Sequence, residues 1–115
     1  MVDDLFEAKI RNVAGAVVID LTGEINGQAE RGLIDVYTSA EHMNPGSIVL
    51  NFSKVNYINS TGIALIVNVL ARSRKKNLEL RVYGLSQHYQ EIFNITRLTD
   101  YLKIFPDELS AVQVG

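Results

Sequence analysis

The chain contains no cysteine and no long apolar run, and these absences exclude several classes of protein. Without cysteine there is no disulfide, no thiolate nucleophile and no zinc finger of the usual kind. No apolar stretch approaches the ~20 residues that cross a bilayer, and residues 1–5 lack the features of a signal peptide. The net charge of −2 argues against a general nucleic-acid binder, which needs a concentrated basic face. We therefore expect a soluble, cytoplasmic protein that neither inserts into membranes nor binds nucleic acid.

Signatures of catalysis are scarce as well. The sequence has no phosphate-binding loop, no metal-ligand cluster and no nucleophile–base pair. His42 and His88 are isolated in the sequence, which favours surface or packing roles over metal ligation. We expect no cofactor, no metal and no catalytic residue, and an enzyme is the weakest of the functional hypotheses.

The sequence does contain an alternation of strands and helices within 115 residues, a length that suits one domain over residues 1–115. Two closely spaced strand-like segments, residues 5–11 and 16–21, predict a hairpin. Periodicity and cap residues assign the other elements: strands at residues 47–52, 78–83 and 101–105, and helices at 28–43 after Asn26, at 63–76, after Ser86, and from Pro106. We expect an α/β domain with a mixed β-sheet, an antiparallel N-terminal edge hairpin and about four α-helices.

Ser60 has the most informative position in the chain. A strand is predicted to end shortly before it and an apolar helix to begin at Ile63. This places a small hydroxyl residue at the positive end of a helix, where negative charge is favoured. Two roles are open. Ser60 or Thr61 caps the helix, which is worth about 1 kcal/mol, or Ser60 is a phosphorylation site. Local sequence alone favours the cap.

Four segments follow one another along the chain: TGEIN at residues 22–26, VNYINSTGI at 55–63, IFNITRL at 92–98 and YLKIFP at 101–106. In this order they resemble those of the STAS domain family (sulfate transporter and anti-sigma factor antagonist). Within that family, a chain of this size without membrane spans most resembles the bacterial anti-sigma factor antagonists. Asn26 and Asn59 stand where the family usually has aspartate, and both amides keep the capping capacity but lose the charge.

The resemblance implies a protein that acts by binding. The implied partner is an anti-sigma factor that is itself a serine kinase with a histidine-kinase-like ATPase fold. The unphosphorylated antagonist binds it and releases a sigma factor, phosphorylation of Ser60 breaks the complex, and a serine phosphatase restores binding. Thr61 is the second candidate for phosphorylation. The implied partner-binding surface comprises Glu24, Asn26, Asn59, Ser60, Thr61, Gly62, Ile63 and Leu65.

Two alternatives stay open in the sequence. Leu65 and Val69 are either core residues or part of an apolar docking patch beside Ser60. The alternative function is a STAS scaffold or transporter-accessory module that binds a partner without a switch. It predicts that Ser60→Ala changes little.

Overall fold

The computed structural model describes residues 5–113. This part of the chain contains five β-strands and four α-helices. The strands are β1 (Glu7–Val13), β2 (Ala16–Ile25), β3 (Ser47–Ile58), β4 (Glu79–Tyr83) and β5 (Lys103–Phe105). The helices are α1 (Glu30–Glu41), α2 (Ser60–Lys75), α3 (Gln87–Ile95) and α4 (Glu108–Ala111). Short 3-10 turns at Gly27–Ala29 and Leu98–Asp100 precede α1 and β5.

The strands form one sheet in the order β1-β2-β3-β4-β5. β1 pairs antiparallel with β2, and the other neighbouring strands pair parallel. Ala14 and Gly15 form the tight connection between β1 and β2, with φ angles of 53° and 85°. Positive φ at both central residues is what the commonest two-residue hairpin turn requires. The predicted mixed sheet with an antiparallel N-terminal edge hairpin is confirmed.

The main core lies between the sheet and helices α1, α2 and α3. Alternate residues of the central strands, such as Val17, Ile19 and Leu50, face this side and are almost completely buried, because successive strand side chains point to opposite faces. Phe93 of α3 meets Phe52 of β3 edge to face, with 6.1 Å between the ring centroids. Each large side chain buried in this way contributes about 1.5–3 kcal/mol, so the helices are held firmly on the sheet.

The opposite face of the sheet carries α4, which a polar cluster holds in place. Arg11 Nε donates to Asp20 Oδ2 at 2.6 Å, and Arg11 Nη2 donates to Glu108 Oε1 at 2.6 Å. Tyr83 also donates to Glu108 Oε1, at 2.6 Å. The hydrogen bonds from Arg11 lower the pKa of Asp20 and Glu108, while burial and the Glu108 carboxylate raise the pKa of Tyr83 to about 12. Both carboxylates are therefore ionised at neutral pH, and the cluster joins α4 to three strands.

Several boundaries differ from the prediction because strand pairing continues past the apolar runs. β2 and β3 extend to Ile25 and Ile58, which pair with each other at the end of the ladder. The last helix begins at Glu108, and Asp107 caps it by accepting the Ser110 N–H at 2.9 Å. Pro106 therefore precedes the cap, and its predicted place as the first helical residue is wrong.

Candidate functional site

The connection from β3 to α2 is a single residue, Asn59, which caps the helix. Its backbone is extended, with φ −91° and ψ −177°, and its Oδ1 accepts the Gly62 N–H at 2.8 Å. This is the usual bond between a cap side chain and the third helical amide. Ser60 is thus the first helical residue. The predicted start at Ile63 is wrong, and so is the cap role considered for Ser60 and Thr61.

Ser60 and Thr61 are exposed at the positive end of α2. Within residues 5–113, the Ser60 hydroxyl makes no hydrogen bond. The Ser60 and Thr61 amides belong to the first helical turn and have no intrahelical acceptor. The first turn contains no acidic side chain, so the helix dipole there is not neutralised from within the helix. The site therefore presents an unengaged hydroxyl beside free main-chain donors.

Contacts with two other elements fix the position of this helix start. The Asn59 N–H donates to the Ile25 carbonyl of β2 at 3.2 Å, and the Ile58 N–H donates to the Tyr89 hydroxyl of α3 at 2.9 Å. Gly62 packs so closely on β2 that a Cβ built on it would lie 2.1 Å from the Ile25 oxygen. Sequence reasoning does not identify Tyr89, because no local pattern links its hydroxyl to a strand end 31 residues away.

The loop between β2 and α1 lies against the connection from β3 to α2. Asn26 Oδ1 accepts the Gln28 N–H at 2.9 Å, and Asn26 Nδ2 donates to Glu24 Oε1 at 3.4 Å. Asn26 thereby caps the 3-10 turn that leads into α1. A Cβ built on Gly27 would lie 3.7 Å from Thr61 Cγ2, so the two loops are in near contact. The structure places Glu24 and Asn26 beside the Asn59–Ser60–Thr61 segment.

The remaining residues of the predicted contact surface are less available to a partner. Gly62 is buried and Ile63 is half-buried. Leu65 is only 6% exposed and Val69 is fully buried, and both belong to the main core. The core interpretation of these two residues is confirmed. Leu65 is accordingly wrong as a contact residue, since its side chain faces the protein interior and not the solvent.

Tyr57, near the end of β3, adds an exposed aromatic ring beside the Asn59–Ser60–Thr61 segment. It pairs across the ladder with Glu24, and 50% of its surface is exposed. Tyrosine is enriched in protein interfaces. A sequence signal for it exists, because Tyr57 is an aromatic residue in the mixed polar and apolar segment that precedes Asn59. The predicted end of β3 at residue 52 left it outside a strand.

No helix within residues 5–113 has the length and apolarity to cross a membrane. In the same part of the chain, no group of three or more His, Cys, Asp or Glu residues is arranged to hold a metal ion.

The fold and the site define a small α/β domain with an exposed hydroxyl at the start of a helix beside the end of a central strand. The family model of the STAS domain matches residues 7–111, and the chain belongs to that family. The anti-sigma-B factor antagonist of Staphylococcus aureus (strain NCTC 8325 / PS 47) is 28% identical over 86 residues, which are 75% of this chain and 80% of that protein.

Solved structures share the fold. A crystal structure of an anti-sigma factor antagonist from Mycobacterium paratuberculosis matches with a TM-score of 0.79 at 17% identity, over 96% of this chain and 93% of that one. The Bacillus cell fate determinant SpoIIAA in its phosphorylated form matches with a TM-score of 0.68 at 18% identity, over 92% of this chain and 96% of that one.

Proposed function

We propose that this protein is an anti-sigma factor antagonist switched by phosphorylation of Ser60. In its unphosphorylated form it binds an anti-sigma factor, a serine kinase of the histidine-kinase-like ATPase fold, and so releases a sigma factor in the cytoplasm. The kinase phosphorylates Ser60 and the complex dissociates, and a serine phosphatase restores the binding form. Thr61 is the second candidate acceptor. The protein itself acts by binding and catalyses no reaction.

One observation supports Ser60 most directly. Asn59 provides the cap of α2, so the Ser60 hydroxyl is exposed and makes no hydrogen bond among the described residues. A kinase can therefore reach the hydroxyl without opening the helix. The relatives named anti-sigma factor antagonists, and the STAS family match over residues 7–111, support the same role.

The physical effect of a phosphoryl group at Ser60 differs between the domain and a docked partner. The group adds about 1.5 to 2 negative charges. The free amides of the first turn and the helix dipole favour that charge, so the fold tolerates it. A partner packed over the same spot would have to desolvate a dianion, which is strongly unfavourable. The switch thus acts on the interface and leaves the domain folded.

The contact surface that this role requires is built from Glu24, Asn26, Asn59, Ser60 and Thr61. The neutral side chains of Asn26 and Asn59 leave Glu24 as the carboxylate of this set. A partner complementary to this surface therefore meets little negative charge before phosphorylation, and the phosphoryl group becomes the dominant charge afterwards. Phosphorylation therefore changes the negative charge of this surface by a larger factor than it would if residues 26 and 59 were aspartates.

The test compares the intact mass of three purified proteins after incubation with ATP and a lysate of the cells in which the protein occurs. The proteins are wild type, Ser60→Ala and Thr61→Ala. We expect one phosphate adduct on wild type and Thr61→Ala and none on Ser60→Ala. Capture of partners by unmodified wild type, and loss of that capture by the phosphorylated protein and by Ser60→Asp, complete the test.

The competing function is a STAS scaffold or transporter-accessory module without a switch. It predicts no adduct on any of the three proteins, together with the same captured partners for wild type and Ser60→Ala. An adduct that persists on Ser60→Ala and disappears from Thr61→Ala would move the switch to Thr61.

A further inference from the structure

The bond between Asn26 and Gly27 lies in the loop that adjoins the Ser60 segment. We propose that Asn26 is a site of spontaneous deamidation, at which the Gly27 nitrogen attacks the side-chain carboxamide and a carboxylate finally replaces the amide. The chemical step requires water and no enzyme. Its effect on partner binding rests on the proposed function, whereas the step itself does not.

The reaction balances in two stages. The main-chain nitrogen of Gly27 forms a bond with Asn26 Cγ, the bond from Cγ to Nδ2 breaks, and ammonia leaves with the proton of the Gly27 N–H. The result is a cyclic imide. Water then opens either carbonyl–nitrogen bond of the imide, giving aspartate or its β-linked isomer at position 26. Both products carry a carboxylate where the chain had a neutral amide.

Hydrogen bonding in the loop suits the first stage. The Gln28 N–H donates to Asn26 Oδ1 at 2.9 Å. This oxygen gains negative charge when Cγ is attacked, and a donor already aimed at it stabilises that charge. Within residues 5–113 the Gly27 N–H has no hydrogen-bond acceptor, so no such bond has to break before the nitrogen reacts.

The residue after Asn26 also leaves the reaction unhindered. Gly27 is exposed, and the nearest atom to a Cβ built on it is Thr61 Cγ2 at 3.7 Å. The chain has nine asparagines, and Asn26 is the one that precedes a glycine. Asn44 precedes Pro45, whose nitrogen has no proton to release. The other asparagines precede residues with side chains, which crowd the attacking nitrogen.

Deamidation changes the surface next to Ser60. The new carboxylate lies beside Glu24, whose Oε1 is 3.4 Å from Asn26 Nδ2, and it adds a negative charge to a loop in near contact with Thr61. The β-linked product also lengthens the main chain by one carbon at the cap of the Gly27–Ala29 turn. Aspartate is the residue that the STAS resemblance implies at position 26, so we expect the β-linked product, whose longer main chain displaces the cap beside the Ser60 segment, to be the form that captures less partner.

The test follows purified full-length protein stored at mildly alkaline pH in water enriched in heavy oxygen. Peptide mapping with fragmentation that separates aspartate from its β-linked isomer locates each modified residue. We expect labelled oxygen to enter at position 26 and the two isomers to form there together. The Cβ of Gly27→Ala would make only an ordinary contact, so we expect this variant to fold. We expect its deamidation at Asn26 to be slower by roughly tenfold or more, which corresponds to an added barrier of about 1.4 kcal/mol.

Three results would overturn the proposal. The first is an Asn26 that stays unmodified in aged wild type. The second is deamidation of Asn26 in Gly27→Ala at the same rate as in wild type. The third is deamidation spread evenly over all the asparagines of the chain. The readout is a mass and needs neither kinase nor partner. Its failure is therefore distinguishable from failure of the proposed function, which the phosphate adduct on Ser60 tests separately.

Discussion

Replacing Gly62 with alanine probes how closely α2 approaches β2 at the candidate site. A Cβ at this position would lie 2.1 Å from the Ile25 carbonyl oxygen and 2.9 Å from Ile58 Cγ2. An ordinary contact is at least 3.4 Å, so the helix start and the strand must separate by more than about 1 Å. Forced overpacking of this kind costs about 1–3 kcal/mol.

The same movement strains two hydrogen bonds at the helix start. These are the bond from the Asn59 N–H to the Ile25 carbonyl, at 3.2 Å, and the cap bond from the Gly62 N–H to Asn59 Oδ1, at 2.8 Å. Each such bond contributes about 0.5–1.5 kcal/mol. We therefore expect Gly62→Ala to lower the free energy of unfolding by about 3 kcal/mol, which still leaves a typical domain folded.

Urea unfolding of Gly62→Ala beside wild type and Gly27→Ala measures this effect. Gly27→Ala is the matched control, because its Cβ would meet Thr61 Cγ2 at an ordinary 3.7 Å. We expect that control to remain within about 0.5 kcal/mol of wild type. A Gly62→Ala protein as stable as Gly27→Ala would refute the close approach of α2 to β2 and, with it, the position assigned to Ser60.

Three further predictions concern the surroundings of the site and the polar cluster. Tyr89→Phe removes the acceptor of the Ile58 N–H and should cost about 1–2 kcal/mol in urea unfolding, with faster amide exchange at Ile58; unchanged exchange would contradict the bond. Asn59→Ala should cost about 1 kcal/mol by losing the cap, whereas Asn59→Asp keeps an acceptor and should cost little; equal losses would argue against capping. Arg11 lowers the pKa of Asp20, so this carboxylate stabilises the fold above its unfolded pKa of about 3.9 and loses that contribution as pH falls through the lower folded value. Asp20→Asn should therefore flatten the fall in unfolding free energy at acid pH, and an unaltered pH dependence would contradict the pairing.

The alternation of strands and helices could be predicted because periodicity reports which residues face a core. The strand ends could not. Residues 22–25 and 53–58 mix buried and exposed side chains, and they join the ladder because β2 and β3 pair with each other, register shifts included. Pairing between distant segments is not encoded in either segment alone, so the predicted strands stopped where the apolar runs stopped.

The cap of α2 illustrates the same limit at the site itself. Asn59, Ser60 and Thr61 are all capable caps, and intrinsic preference does not choose among three in a row. The choice is made by tertiary contacts, since the Asn59 N–H bonds to the Ile25 carbonyl and Gly62 fits against the same residue. These contacts fix where the helix begins, and they involve residues more than thirty positions apart in the sequence.

If Ser60 is the switch that we propose, the choice of Asn59 as the cap separates the stability of the helix start from the switching. If Ser60 capped the helix, a phosphoryl group would replace the hydroxyl as acceptor of the cap bond, and modification would rearrange the helix start. Asn59 Oδ1 accepts the Gly62 N–H instead. The Ser60 hydroxyl oxygen therefore takes part in no hydrogen bond among the described residues. A group added there changes the charge and shape of the surface while every bond that positions α2 persists. That division is what a reversible switch needs, since the protein must remain folded in both states in order to be used again.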